Sequence, residues 1–545
     1  MKKVVLLAIN AKYVHSSLSV WVIAEGVAKF AKIPHKMSIV EATINQKIPD
    51  IIELVTVHEP DVIGISSYIW NAGMMPEFLR LLREQLPDVV VVLGGPEASN
   101  NASFWLENGA DHILTGEGEY CFPQFLEEFF QEKHKKHNHR PSASSASSAS
   151  PASCHPENKK ELIDPYTDAY INSLNGRLAY IETSRGCPFQ CAFCLSAGSG
   201  VKYFPLDLVK EQILKLSKSS AGTIKFVDRT FNCNAERAYE IFDYVIGLDT
   251  TCRFHFEAAA DLFDEHMLSL LETAPPGRIQ FEIGLQSFFE PALKAVSRQM
   301  DLDKAERNIN TLLQLQNIHI HIDLIAGLPH ETLNDFMDSF DRAYALNAHH
   351  LQLGFLKLLH GSVLRKQADV YDIQFTSEPP YEIICNKWLS SENIRTLKNT
   401  ENALQNTFNK GRFLSTLHYV LSATGMRPFA LLYSLGVNAP NHGAQLEDYI
   451  VLIYEFFLGL PGVEEESLKD CLIYDWLSMV KGKNAPVFLK NDDNRRKYVA
   501  EAAEKLLGRK MKREEYAVLN SGLGIFVDSN DQDPVTGLYS VYFCR

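Results

Sequence analysis

No apolar run in this chain reaches the roughly 18 residues that a bilayer-spanning helix needs, so no membrane-embedded role is expected. Basic residues are short as well. There are 53 Lys and Arg against 67 Asp and Glu, a formal net charge of −14. A broad nucleic-acid footprint needs a basic face, so nucleic acid is not an expected partner. Cysteine is sparse, with ten in 545 residues, which rules out a disulfide framework. Seven of the ten are scattered; the other three are grouped, and no second Cys-x2–4-Cys knuckle follows them, as a zinc site of paired knuckles would require. The N-terminal run Met-Lys-Lys-Val-Val-Leu-Leu-Ala stops early at Asn10, Lys12 and His15. That reads as a buried first strand rather than a signal peptide.

What is present is ordinary globular material for about three or four domains. Hydrophobic residues make up 46% and charged residues 22%. Short apolar runs at 3–9, 62–67, 89–96 and 111–119 alternate with helical stretches at 17–31 and 75–86. That alternation predicts a doubly wound parallel sheet over 1–130. Small residues follow the strand ends, where such sheets bind ligands. Residues 131–165 are basic, then Ser- and Ala-rich, and predict a flexible linker that carries His134, His137, His139 and His155.

Strand candidates then recur at 178–183, 223–228, 253–258, 279–284, 318–325 and 348–354. Helical stretches at 206–218, 235–247, 263–272, 290–297, 303–316 and 333–346 separate them. Six β/α units over 166–374 predict a partial parallel barrel, with its chemistry at the C-terminal mouth. Residues 375–545 read as a separate, mainly helical domain, ending in a turn at Pro534–Gly537 and a short strand at 538–543.

Cys187, Cys191 and Cys194 sit in Arg-Gly-Cys-Pro-Phe-Gln-Cys-Ala-Phe-Cys, just after the first of the six strands. Three thiolates on one loop can hold three corners of a [4Fe–4S] cluster and leave the fourth iron open to a substrate. Phe193 precedes the third thiol. The loop resembles the signature of radical S-adenosylmethionine (SAM) enzymes, in which the open iron binds SAM. An oxygen-sensitive cluster of that kind implies a reducing cytoplasm. The resemblance extends to later strand ends. Glu257, Gln286, Arg298 and Asp323 match the residues that hold SAM's amino group, ribose and carboxylate in the branch that includes oxygen-independent coproporphyrinogen oxidase. One element departs from that pattern. The usual Gly-Gly-Glu is replaced by Val227-Asp228-Arg-Thr, so Asp228 is expected to stand in for the acid.

The N-terminal region resembles the cobalamin-binding domains that precede many radical SAM modules. Ser66, Gly94 and Gly95 in Gly-Gly-Pro-Glu, and Gly116 and Glu117 in Thr-Gly-Glu-Gly-Glu, are the matching positions. His15 lies where some such domains place a cobalt ligand, but the accompanying Asp and Gly are missing. Cobalamin held without a protein histidine on cobalt is therefore favoured, with His15 as a pocket or structural residue.

Together the resemblances imply a Rossmann-like cobalamin-binding domain, a (β/α)6 radical SAM core and a helical extension. They imply methyl transfer to a small molecule, with a flavodoxin or ferredoxin as electron donor. The alternatives are an anaerobic oxidative cyclase, another non-methylating radical enzyme, or a cobalamin or redox sensor. A tRNA methylthiotransferase would carry a basic appendage and three further N-terminal cysteines, and neither is present.

Overall fold

The computed structural model describes residues 2–135, 152–153, 161–440, 443–489 and 495–544. Strand β1 (Lys2–Asn10) has its last seven residues buried. It pairs in parallel with β2 (His35–Thr43) and β3 (Val62–Ser66). The sheet continues through β4 (Val90–Gly94), β5 (His112–Thr115) and the two-residue β6 (Ala152–Ser153), in the order β2-β1-β3-β4-β5-β6. Helices cover both faces, and two apolar cores form on either side. The sequence reading missed β2. It is an edge strand whose apolar residues are interrupted by His35, Lys36, Ser38 and Glu41.

Most of the expected linker, including His137, His139 and His155, lies outside the described residues. At its start, residues 131–135 continue the helix Gly118–Lys135. Further on, Ala152–Ser153 pair with β5.

The second sheet is fully parallel: β7 (Ala179–Ile181), β10 (Thr223–Phe226), β11 (Arg253–Ala258), β12 (Ile279–Gln286), β13 (His319–Ala326) and β14 (His350–Phe355). Between β7 and β10 lies a small antiparallel pair, β8 (Ser184–Cys187) and β9 (Gly200–Tyr203), which carries the cysteine loop. Phe254, Phe256, Phe281, Ile283, Ile320 and Ile322 face the helices and are completely buried. Each such side chain contributes about 1.5–3 kcal/mol by leaving water.

An open barrel has two exposed edge strands, and such edges need covering. The N-terminal domain covers the edge beside β7: Leu178 N–H donates to Val14 O at 2.8 Å, and Ser16 Oγ donates to Leu178 O at 2.8 Å. The C-terminal domain covers β14. The Asn409 side-chain amide imitates a neighbouring strand, accepting from Leu351 N at 3.0 Å and donating to Leu351 O at 2.8 Å.

Among the described residues, the C-terminal region contains six helices of eleven to sixteen residues between Ser391 and Leu507. It also holds a hairpin of β15 (Gln374–Phe375) and β16 (Ile383–Cys385). A three-stranded antiparallel sheet, β17 (Tyr516–Val518), β18 (Gly524–Gln532) and β19 (Tyr539–Cys544), extends the short strand expected at 538–543. No helix among the described residues is long and apolar enough to cross a membrane.

Candidate functional site: two facing sheet edges

The cysteine loop leaves the C-terminal end of β7. Gly186 has φ +104°, and a Cβ there would lie 1.9 Å from Gly200 O, so only glycine lets β8 and β9 close the loop. Cys187 and Cys191 are buried and Cys194 is half-buried. Burial raises the Cys194 thiol, and the neighbouring Cys191 and Cys187 add to the rise. Among the described residues, no three His, Cys, Asp or Glu side chains close on one ion-sized point.

Neighbouring strands carry the other expected residues to the same mouth. Register pairs Glu257 with Glu282, and Gly284 with Asp323. Arg298 follows the helix Glu290–Ala295. It reaches back to donate to Gly284 O, with Nη1 3.5 Å from Cys191 Sγ. Gln286 sits at φ +71° beside a register shift in β12. Only a few per cent of non-glycine residues adopt that conformation. Burial, then the Glu282 and Asp323 carboxylates, push Glu257 up to about 7, against the pull of Arg229 and Lys225.

Asp228 has a different setting from the one expected. It is buried, and its carboxylate accepts from Thr183 N at 3.0 Å, Thr183 Oγ1 at 2.7 Å and the Ser184 hydroxyl. Both oxygens are occupied in fixing the junction between β7 and the cysteine loop.

At the edge of the first sheet, Ser66 Oγ lies 3.0 Å from Ser19 Oγ. Gly94 is open, with the nearest atom 3.8 Å from a built Cβ. Gly95 has φ +95°, and a Cβ there would meet Ser67 O at 2.6 Å. A bulky residue at 95 would therefore strain the protein's own backbone before it met any ligand. Gly116 also has positive φ, +102°. Glu117 turns towards the second domain. Its carboxylate, with those of Glu119 and Glu182, surrounds Arg185 at 2.9, 2.8 and 2.7 Å. This knot ties the first sheet's edge to the cysteine loop. His15 Nδ1 lies 2.6 Å from Tyr180 Oη on β7.

Three polar atoms at these edges are buried without a hydrogen-bond partner in the protein: Ser67 Oγ, Gln286 Oε1 and Arg298 Nε; Asp323 Oδ1 lies 2.9 Å from His321 Nε2. Native interiors leave few such atoms unsatisfied. A ligand with a carboxylate and hydroxyl groups fits that donor and acceptor set.

Three family models match the chain: "B12 binding domain" over residues 4–126, "Radical SAM superfamily" over 181–343, and "Protein of unknown function (DUF4080)" over 369–521. The chain thus joins a B12-binding domain to a radical SAM domain. The cofactors of those domains are cobalamin, SAM and a [4Fe–4S] cluster. The curated relatives include the cobalamin-dependent radical SAM methyltransferase TokK of Streptomyces tokunonensis. It is 25% identical over 306 residues, 51% of this chain and 44% of that protein. The chain thus spans less than half the length of this relative. Among solved structures, apo OxsB, a cobalamin-dependent SAM radical enzyme, superposes with TM-score 0.60 at 14% identity, covering 94% of this chain and 82% of OxsB. The radical SAM methyltransferase TsrM of Kitasatospora setae, with cobalamin and [4Fe–4S] bound, gives 0.53 at 16% identity, covering 70% and 79%.

Sequence reasoning missed the polar lining of the radical SAM barrel. Lys225 Nζ and His255 Nε2 both lie 2.9 Å from Glu282 Oε2. The His321 and His350 rings meet at 4.1 Å between centroids. Burial lowers His350 to about 4, so it is neutral at pH 7. The signal was available in the alternation of β11, β12 and β13, as in Ile-Gln-Phe-Glu-Ile-Gly-Leu-Gln. Parallel strands covered on both faces read as continuous apolar runs. Strict alternation means that one face lines a cavity.

Proposed function

We propose that this chain transfers a methyl group to a small molecule at an unactivated position. The observation that carries the reading is the Arg185 knot, which holds the edge bearing Gly94 and Gly95 beside the loop bearing Cys187, Cys191 and Cys194. A corrin and a cluster on those two edges would face one substrate. The similarity to a named methyltransferase supports the same reading. When bound, cobalamin supplies the methyl group, and the cluster with SAM supplies a radical that removes a hydrogen atom.

The chain's residues divide the work. Cys187, Cys191 and Cys194 hold the cluster, with Phe193 packed in the loop between them. Arg298, adjacent to Cys191, takes SAM's carboxylate through a guanidinium fork. Gln286 and Asp323 take the ribose hydroxyls, and Glu257 faces the amino group. Asp228 acts through Thr183 and Ser184 to fix the loop. His15, tied to Tyr180 and lacking the accompanying Asp and Gly, serves as a pocket or structural residue, so bound cobalamin would carry no protein histidine on cobalt. A flavodoxin or ferredoxin delivers the electron.

Anaerobically reconstituted protein supplied with methyl-labelled SAM, reductant and a metabolite extract tests the reading. Label in an extract component, with 5′-deoxyadenosine and S-adenosylhomocysteine as co-products, is expected. 5′-Deoxyadenosine without labelled product would refute methyl transfer and favour a non-methylating radical enzyme.

A further inference from the structure

The hairpin of β15 and β16, in the region of unknown role, spans the two sheet edges. On the barrel side, Leu358 N donates to Tyr381 O at 2.9 Å and Ile383 N donates to Leu356 O at 3.0 Å. Asn386 Nδ2 donates to Gly327 O at 3.0 Å, just beyond β13. Gly327 is close-packed, since a Cβ there would lie 2.8 Å from Ile383 Cδ1.

On the other side the hairpin meets the cobalamin-binding domain. Tyr381 Oη donates to Glu97 Oε1 at 2.6 Å, across 284 residues of sequence. Both side chains are buried, at 3% and 5% exposure. The Arg365 guanidinium lies over the Tyr381 ring at 4.9 Å and over the Phe375 ring at 4.8 Å, and the Glu97 charge acts on it. Gly361 completes the contact, because a Cβ there would lie 2.2 Å from Asn100 Oδ1. Glu97 is two residues from Gly95, and its own N–H donates to Ser67 O at 3.3 Å. The hairpin thus grips the turn whose glycines leave room at the sheet edge. An acid buried at that turn would otherwise be costly. Its partner comes from outside the domain.

We propose that Tyr381 and Arg365 are positioning residues for cobalamin, so that corrin retention by the N-terminal domain depends on the C-terminal region. Tyr381 holds the Glu97 carboxylate, Arg365 packs over the Tyr381 ring, and a fixed Glu97 keeps its N–H on Ser67 O and the adjoining Gly94–Gly95 turn in place. The inference rests on the reading that the corrin meets that edge. The C-terminal region then acts as a strap between the cobalamin domain and the barrel mouth.

The test uses the full chain, reconstituted anaerobically with hydroxocobalamin. Corrin release is followed by the visible spectrum of repeatedly filtered protein. Tyr381→Phe removes the donor while keeping the ring under Arg365, and should speed release about tenfold, as expected for loss of a hydrogen bond to a charged group. Glu97→Ala should do the same. Glu97→Gln keeps an oxygen acceptor for Tyr381 and should release at close to the parental rate, a rescue that generic destabilisation would not give. Iron content and SAM affinity should stay at parental values in all three. If Tyr381→Phe does not fold, Arg365→Met and the Glu97 pair answer the question alone. Parental release from Tyr381→Phe or from Glu97→Ala would overturn the strap and leave the corrin site standing. A parent chain that takes up no corrin would overturn the corrin site and the strap with it.

Discussion

Arg298→Ala removes a guanidinium whose Nη1 lies 3.5 Å from Cys191 Sγ. Its Nε is buried without a partner, and Nη2 is fixed on Gly284 O. The fork is thus pre-organised before SAM arrives, and little ordering cost falls on binding. A hydrogen bond to a charged group is worth about 1.5–3 kcal/mol. At about 1.4 kcal/mol per decade, SAM affinity should fall roughly ten- to a hundredfold. Arg298→Lys keeps the charge but not the fork and should fall between the two. Calorimetric titration of the reduced, cluster-loaded protein measures the loss. Iron content should be unchanged, because Arg298 supplies no iron ligand. Parental SAM affinity in Arg298→Ala would refute the assignment and with it the alignment of β12 and β13 to a SAM site.

Two further outcomes are expected. Burial holds Glu257 near pH 7, so the free protein gains its carboxylate charge only as pH rises through that value. SAM affinity should therefore climb from pH 6 to 8, and Glu257→Gln should flatten the climb; a profile as steep as the parent's would contradict the role. His15→Ala should leave the visible spectrum of bound cobalamin nearly unchanged, because His15 lacks the neighbouring Asp that would orient and polarise a cobalt-ligating imidazole; a large spectral shift with sharp loss of affinity would place His15 on cobalt.

The features legible in the sequence were those written in short spans. The cysteine spacing, the apolar runs of β1, β3 and β4 and the six alternating β/α units need only neighbours along the chain. The features that were not legible depend on distant partners. Glu117 read as a cobalamin contact, yet it faces Arg185, 68 residues away. Asp228 read as a SAM contact, yet Thr183 and Ser184 take both its oxygens. Tyr381 and Asn409 carry no local pattern at all, since their partners are Glu97 and the edge of β14. The lumen of Lys225, His255 and Glu282 was written in period-two alternation. It was read as strand propensity rather than as a wet face.

The most direct measurement is 5′-deoxyadenosine formation by the anaerobically reconstituted full chain, compared with a variant in which Cys187, Cys191 and Cys194 are all Ala. The parent should bind about four irons per chain, as an open-site cluster requires, and should cleave SAM once reduced. The variant should lose the brown absorbance and all cleavage. Undiminished cluster or cleavage in the variant, or none in the cluster-loaded parent, would contradict the account.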